Sequence, residues 1–206
     1  MRPLPPVEIF GVTAPDFIPA HEIGEWAADT FLDEDSPLFN ADHRHLQSAT
    51  IGWLWTSVPN NRHMMAVAGQ AEIPRPQGGK WQKRRAEQLL RTWFPDDLDF
   101  LITLDANYAA SCGDASFCAL VEHEMYHCGQ ALDDFGAPKF NKTTGRPAFA
   151  LRGHDVEEFV GIIRRYGVGA GAGRTLELVE AAQRGPQLDA AEVKAACGSC
   201  RSLIGA

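Results

Sequence analysis

A chain of 206 residues can bury one sizeable core and is short for two full domains. Hydrophobic residues at 45% and charged residues at 22% are ordinary for a soluble globular protein. The net charge of −8 argues against a chain-wide electrostatic grip on nucleic acid or on an anionic membrane.

The start, MRPLPPVEIFG, carries prolines where the apolar centre of an export signal would stand, and no later run approaches the ~18 apolar residues of a spanning helix. The five cysteines are an odd number without a dense framework, which fits reduced thiols. A cytoplasmic protein is therefore expected.

Residues 1–18 form a proline-rich lead-in, expected to be irregular. Ile23, Trp26, Ala27 and Phe31 then fall near helical spacing and predict a helix over about 19–33. DEDSPLFNADHRH reads as a loop. SATIGWLWTSV (48–58) is apolar and β-branched, a strand, and HMMAVAGQAEI (63–73) reads as its partner across the turn-like PNN. PRPQGG breaks the chain. KWQKRRAEQLLRTWF (80–94) returns to helical spacing, and its basic run Lys80 to Arg85 reads as a solvated helix start.

LDFLITLDANYA (98–109) is the clearest strand and leads to a helix at about 114–135. The stretch 136–153 reads as a loop, long for a compact domain and for that reason suspected of a functional part. A further helix is expected from about Asp155 to Tyr166. GVGAGAG (167–173) follows a helix rather than a strand, so it is no dinucleotide loop. Small C-terminal helices close the chain. The pattern is α+β, a small sheet with packing helices, in one domain over 19–185. Residues 186–206 read as a helical tail carrying the pair Cys197 and Cys200.

The helix at 114–135 contains His123-Glu124-Met125-Tyr126-His127. At 3.6 residues per turn the two histidines share a face, and two imidazoles so placed can reach one ion at ~2.0–2.1 Å. Glu124 sits ~100° round the axis, too far to join the pair as a ligand but placed to lean over an activated water as general base. Val121, Met125, Cys128 and Leu132 make an apolar stripe on the opposite side.

A catalytic zinc needs a third protein ligand. GHDVEEF (153–159) holds the best candidates: His154 is preferred and Glu157 is the alternative. Asp155 and Glu158 read instead as a capping box for the next helix. A lone Cys-x-x-Cys pair is weak evidence for a structural metal. Cys112 and Cys118 could in principle complete four ligands, but free thiols are the favoured reading.

HEMYH followed by GHDVEEF resembles the SprT-like zincin peptidases and, more closely, the small phage metallopeptidase family, over roughly residues 20–166. The resemblance implies a zincin-like minidomain with a small mixed sheet and an active-site helix. It implies zinc held by His123, His127 and His154, with Glu124 as base. It also implies that a strand edge beside the metal helix receives substrate backbone, and LDFLITLDANYA would be that strand.

The expected activity is zinc-dependent hydrolysis of peptide bonds in protein or peptide substrates. The alternative is a non-catalytic zinc-binding or DNA-associated module, although direct nucleic-acid binding is unlikely for this charge. Tyr126, Arg152 and Tyr166 are candidates, by residue type alone, for stabilising the oxyanion. Asp133, Asp134 and Asp155 are candidates for orienting the imidazoles.

Overall fold

The computed structural model describes residues 1–156 except Val12 and His63, together with 168, 174–188, 191 and 196–197. The first strands and helices are β1 (Phe17–Pro19), α1 (His21–Ala27), β2 (Ile51–Thr56), β3 (Asn61–Arg62), β4 (Met65–Glu72) and α2 (Lys80–Trp93). Then come β5 (Phe100–Asp105), α3 (Ala106–Ser111), α4 (Asp114–His127), β6 (Cys128–Gln130), β7 (Phe149–Leu151), α5 (Thr175–Arg184) and β8 (Ala196–Cys197). The architecture is α+β with a small mixed sheet, as the pattern predicts.

The main sheet runs β1-β2-β5-β4-β3, with β8 added to β4. β5 is parallel to β2 and antiparallel to β4. Two expectations fail here for one reason. β4 is not the direct partner of β2, and β5 is not an edge, because β5 inserts between them. Its alternating pattern explains the choice. Phe100, Ile102 and Leu104 are buried on one face while Leu101 is buried on the other, and only a central strand is covered on both sides. A central strand has no free ladder groups, so β5 cannot receive substrate backbone.

The main core lies between one face of the sheet and the helices α1 and α4. Trp53 and Trp55 of β2 meet Ile23 and Ala27 of α1 and Phe117, Leu120, Val121 and Met125 of α4. Trp26 packs edge-on against Phe31 and tilted against Phe117. On the other face Leu54 and Leu101 pack with Phe94, beneath half-buried Leu90, Trp93 and Leu98.

α2 itself buries no residue, and Trp81 is 86% exposed. Residues 1–18 are not loose. Ile9 is buried, β1 pairs with β2, and Arg2 donates to the carbonyls of Ala109 and Cys112 and pairs with Asp114. The N-terminal segment thus ties α3 to the start of α4.

The helix expected to run to residue 135 stops at His127. The chain turns there into β6, which pairs antiparallel with β7, and bridges Leu132 to Pro138 and Phe140 to Pro147 extend the ribbon. The supposed loop 136–153 is therefore the far arm and return of a β-ribbon. Leu132, assigned to the helix's apolar stripe, lies on this ribbon and is 61% exposed, whereas Val121, Met125 and Cys128 are buried as expected. The helix expected over 155–166 lies outside the described residues from 157 onward. The strand β8 stands in the segment read as a helical tail.

Trp55 is fully buried at the centre of the core, its indole N–H donating to Glu22 at 2.8 Å. Trp55→Ala should destabilise the fold by about 3–5 kcal/mol, read as a lowered urea midpoint at unchanged slope. A shift near zero would mean that the core does not close on this residue.

Candidate metal centre

α4 carries His123 and His127 to one face, and the ribbon carries His154 back to them. The ribbon does this through backbone bonds. In β6–β7, Cys128 is registered with Leu151, Gly129 with Ala150 and Gln130 with Phe149. Immediately beyond, the Arg152 N–H donates to the His127 carbonyl at 2.9 Å. Glycine at 129 eases this pairing, because a Cβ there would lie 3.1 Å from Arg152 Cβ and 3.3 Å from the Ala150 carbonyl, a tight fit. This close pairing is why α4 ends where it does. The His127 carbonyl, which the N–H of residue 131 would take in a continuing helix, is spent on the returning strand.

The result is a compact donor set. His123 Nε2 lies 3.3 Å from His127 Nε2 and 3.3 Å from His154 Nε2, and the ligand atoms of all three lie within 4.8 Å of one another. Bonds of ~2.05 Å at a tetrahedral angle place donor atoms about 3.3–3.4 Å apart, so the two measured separations suit one small ion. Among the described residues this is the group of His, Cys, Asp or Glu side chains with such geometry. The three histidines, Tyr126 and residues 152–155 line a cleft of about 200 Å³.

His127 Nδ1 lies 2.7 Å from the Arg152 carbonyl. A carbonyl only accepts, so the proton sits on Nδ1 and the Nε2 lone pair faces the other two imidazoles. The orienting partner is a backbone carbonyl rather than one of the expected carboxylates. Asp133 accepts from the N–H groups of Phe135 and Ala137 at the ribbon turn. Asp155 pairs with Arg152 and Arg174, and these arginines hold its carboxyl below the usual range against a smaller burial effect. Glu157, Glu158 and Tyr166 lie outside the described residues.

Glu124 is fully buried on the side of α4 that meets β4. Its carboxyl occupies the space where Gly69 of β4 lacks a side chain. A Cβ on Gly69 would lie 2.9 Å from Glu124 Cγ and Oε1. Cys128, next to the histidines in sequence, is no competing ligand. Burial, and then the charge of Glu124, push its thiol far up, so it stays protonated and donates to the Glu124 carbonyl. Cys112 and Cys118 are likewise held up by burial.

Behind the cleft stands a polar cluster that sequence reasoning missed. Asn40 donates to Glu122 at 2.7 Å and to the Tyr126 hydroxyl at 2.9 Å, and that hydroxyl donates to Asp42. His43 is fully buried with its ring against Tyr126, and its Nε2 is 3.7 Å from Glu122. That distance is an ion-pair contact and too long for a hydrogen bond. Burial pushes the Glu122 carboxyl up, but His43 and Asn40 outweigh it and hold it below its ordinary value. Only the density of polar residues in NADHRH hinted at this cluster.

A depressed carboxyl stabilises the fold above its unfolded pKa and loses that contribution as pH falls through the folded one. Asn40→Ala should therefore cost about 1–2 kcal/mol at pH 7 and less at pH 3, by denaturant titration at both. An equal cost at both would place the effect elsewhere. Gly69→Val should clash with the buried Glu124 side chain and lower the urea midpoint, read by denaturant titration. Gly129→Val should weaken metal binding about 10–100-fold by spoiling the delivery of His154, measured by competition with a chelator.

The model of one protein family, described as "Putative phage metallopeptidase", matches residues 24–183. No curated protein and no solved structure matches the chain. The matched span contains all three clustered histidines, Glu124 and the helix and ribbon that position them, and the chain belongs to this phage metallopeptidase family.

Proposed function

We propose that the protein is a zinc-dependent metallopeptidase in which His123, His127 and His154 hold the ion and Glu124 is the general base. The observation that carries this reading is the pair of 3.3 Å separations centred on His123 Nε2. Three neutral imidazoles and an open fourth position are a donor set that zinc uses in catalytic sites. Bound there, zinc supplies Lewis-acid polarisation of a carbonyl and acidifies a water.

The protein's own groups do the rest. The Arg152 carbonyl keeps the His127 proton on Nδ1. The Glu124 carboxylate takes a proton from the attacking water and passes it to the leaving amine. Burial against Gly69 keeps that carboxylate in one place and shields it from bulk solvent.

Two side chains by the cleft differ in their fitness to steady the oxyanion. The Tyr126 hydroxyl is committed to Asn40 and Asp42. The Arg152 guanidinium, beside Asp155 and 5.9 Å from the Tyr126 ring centroid, is the better candidate. Substrates are proteins or peptides, and direct nucleic-acid binding is not expected. The catalytic domain is assigned to 19–185, with 1–18 leading in and 186–206 following, and the site of action to the cytoplasm.

Metal analysis of the wild type should give about one zinc per chain, with His123→Ala and His154→Ala each losing most of it. Glu124→Gln should keep the metal and lose on the order of 10²–10⁴-fold in kcat/KM on casein or a peptide library. Full zinc in the His154 variant would move the third ligand elsewhere. Substantial turnover in the Glu124 variant would remove the base.

A further inference from the structure

The edge of the sheet beside the metal helix is not open. β4 passes α4 at Gly69, where the Glu124 carboxyl fills the glycine's missing side-chain space. On its inner side Gly69 is registered with Leu104 of β5. On its outer side it is registered with Cys197 of β8, and Val67 with Ala196, in a parallel ladder. Both sides of β4 are therefore taken at Gly69, which lies against the proposed base. The other end of the sheet, β1, is separated from β4 by β2 and β5.

An extended peptide binds a sheet by adding to an exposed edge, where backbone hydrogen bonds supply affinity. At Gly69 the chain's own residues 196–197 occupy that position. We propose that this segment is an autoinhibitory strap that holds the metallopeptidase site closed to peptide substrates by taking the outer edge of β4. The inference rests on the peptidase reading above.

Three features suit a strap that lets go. Only two residues pair, the register shifts between Val67 and Gly69, and parallel pairing is slightly less stable per residue than antiparallel. The segment follows α5, whose preceding Arg174 is tied to Asp155 at 3.0 Å beside His154. The strap is thus tethered close to the cleft, which raises its local concentration at β4. A substrate must compete with a neighbour that never diffuses away. Such competition multiplies the apparent affinity by the open fraction and leaves the chemical step alone.

The test uses the full chain carrying A196P/C197P, because proline removes the ladder donors and is excluded from paired strand positions. In hydrogen exchange, the Gly69 amide should exchange faster in the variant than in the wild type, at equal zinc content, while Val67, whose N–H donates to the Asn60 carbonyl, serves as the internal reference. In peptide hydrolysis, KM should fall about tenfold while kcat holds. A synthetic peptide of residues 190–206, added to the variant, should slow exchange at Gly69 and raise KM again.

Equal exchange at Gly69 in both proteins overturns the strap. So does faster exchange with an unchanged KM, or a peptide that restores neither. Zinc-loaded protein that cleaves nothing in either form, while exchange at Gly69 differs, refutes the peptidase reading and with it this inference. Active enzyme with no KM difference refutes the strap alone.

Discussion

The site depends on two hydrogen bonds between His127 and Arg152. The Arg152 N–H donates to the His127 carbonyl, and the Arg152 carbonyl accepts from Nδ1–H of the His127 ring. The first bond stops the helix and starts the ribbon; the second chooses the tautomer. Because both run through one residue two positions before His154, ending the helix, orienting one imidazole and delivering another are a single event. A carboxylate could orient the ring equally well, but it could not also fix the strand. The cost is crowding at residue 129, where a side chain would press on Arg152 and the Ala150 carbonyl.

Around this junction the two faces of α4 are assigned to different tasks. Phe117, Leu120, Val121 and Met125 anchor the helix to the sheet, and the histidines look the other way into a small cleft. Glu124 lies between these roles. It faces β4 and is fully buried, its carboxyl filling the space that Gly69 leaves open. A rigid strand on one side and a packed helix on the other give the group little freedom. That is the preorganisation a proton-transferring group benefits from.

The sequence made the local parts legible and the long-range parts not. The four-residue spacing of His123 and His127 is a property of one helix, so it could be read directly. His154 was recognisable as a candidate by type and by lack of other employment, and the ribbon brings it to the pair. The end of α4 was misread because Cys128 to Phe135 keeps a helix-compatible pattern. The competing ladder with 149–151 is formed by residues that no local window contains.

Strand order failed for the same reason. Both faces of β5 are apolar, which suits a central strand, yet nothing in its own residues says which neighbours flank it. The Asn40–Glu122–Tyr126 cluster and the Arg2 contacts join residues 82 to 112 positions apart, beyond any periodicity argument.

The three imidazoles are not held with equal firmness. Two stand on a helix sealed into the core, and His127 is nearly buried, whereas His154 is exposed at the mouth of a narrow antiparallel ribbon. A two-stranded ribbon is marginal on its own and opens more readily than the body it grows from. Removal of an ion from such a centre would begin with fraying of that ribbon rather than with global melting. The pace of demetallation then follows the ribbon's local opening equilibrium, and the overall melting temperature says little about it.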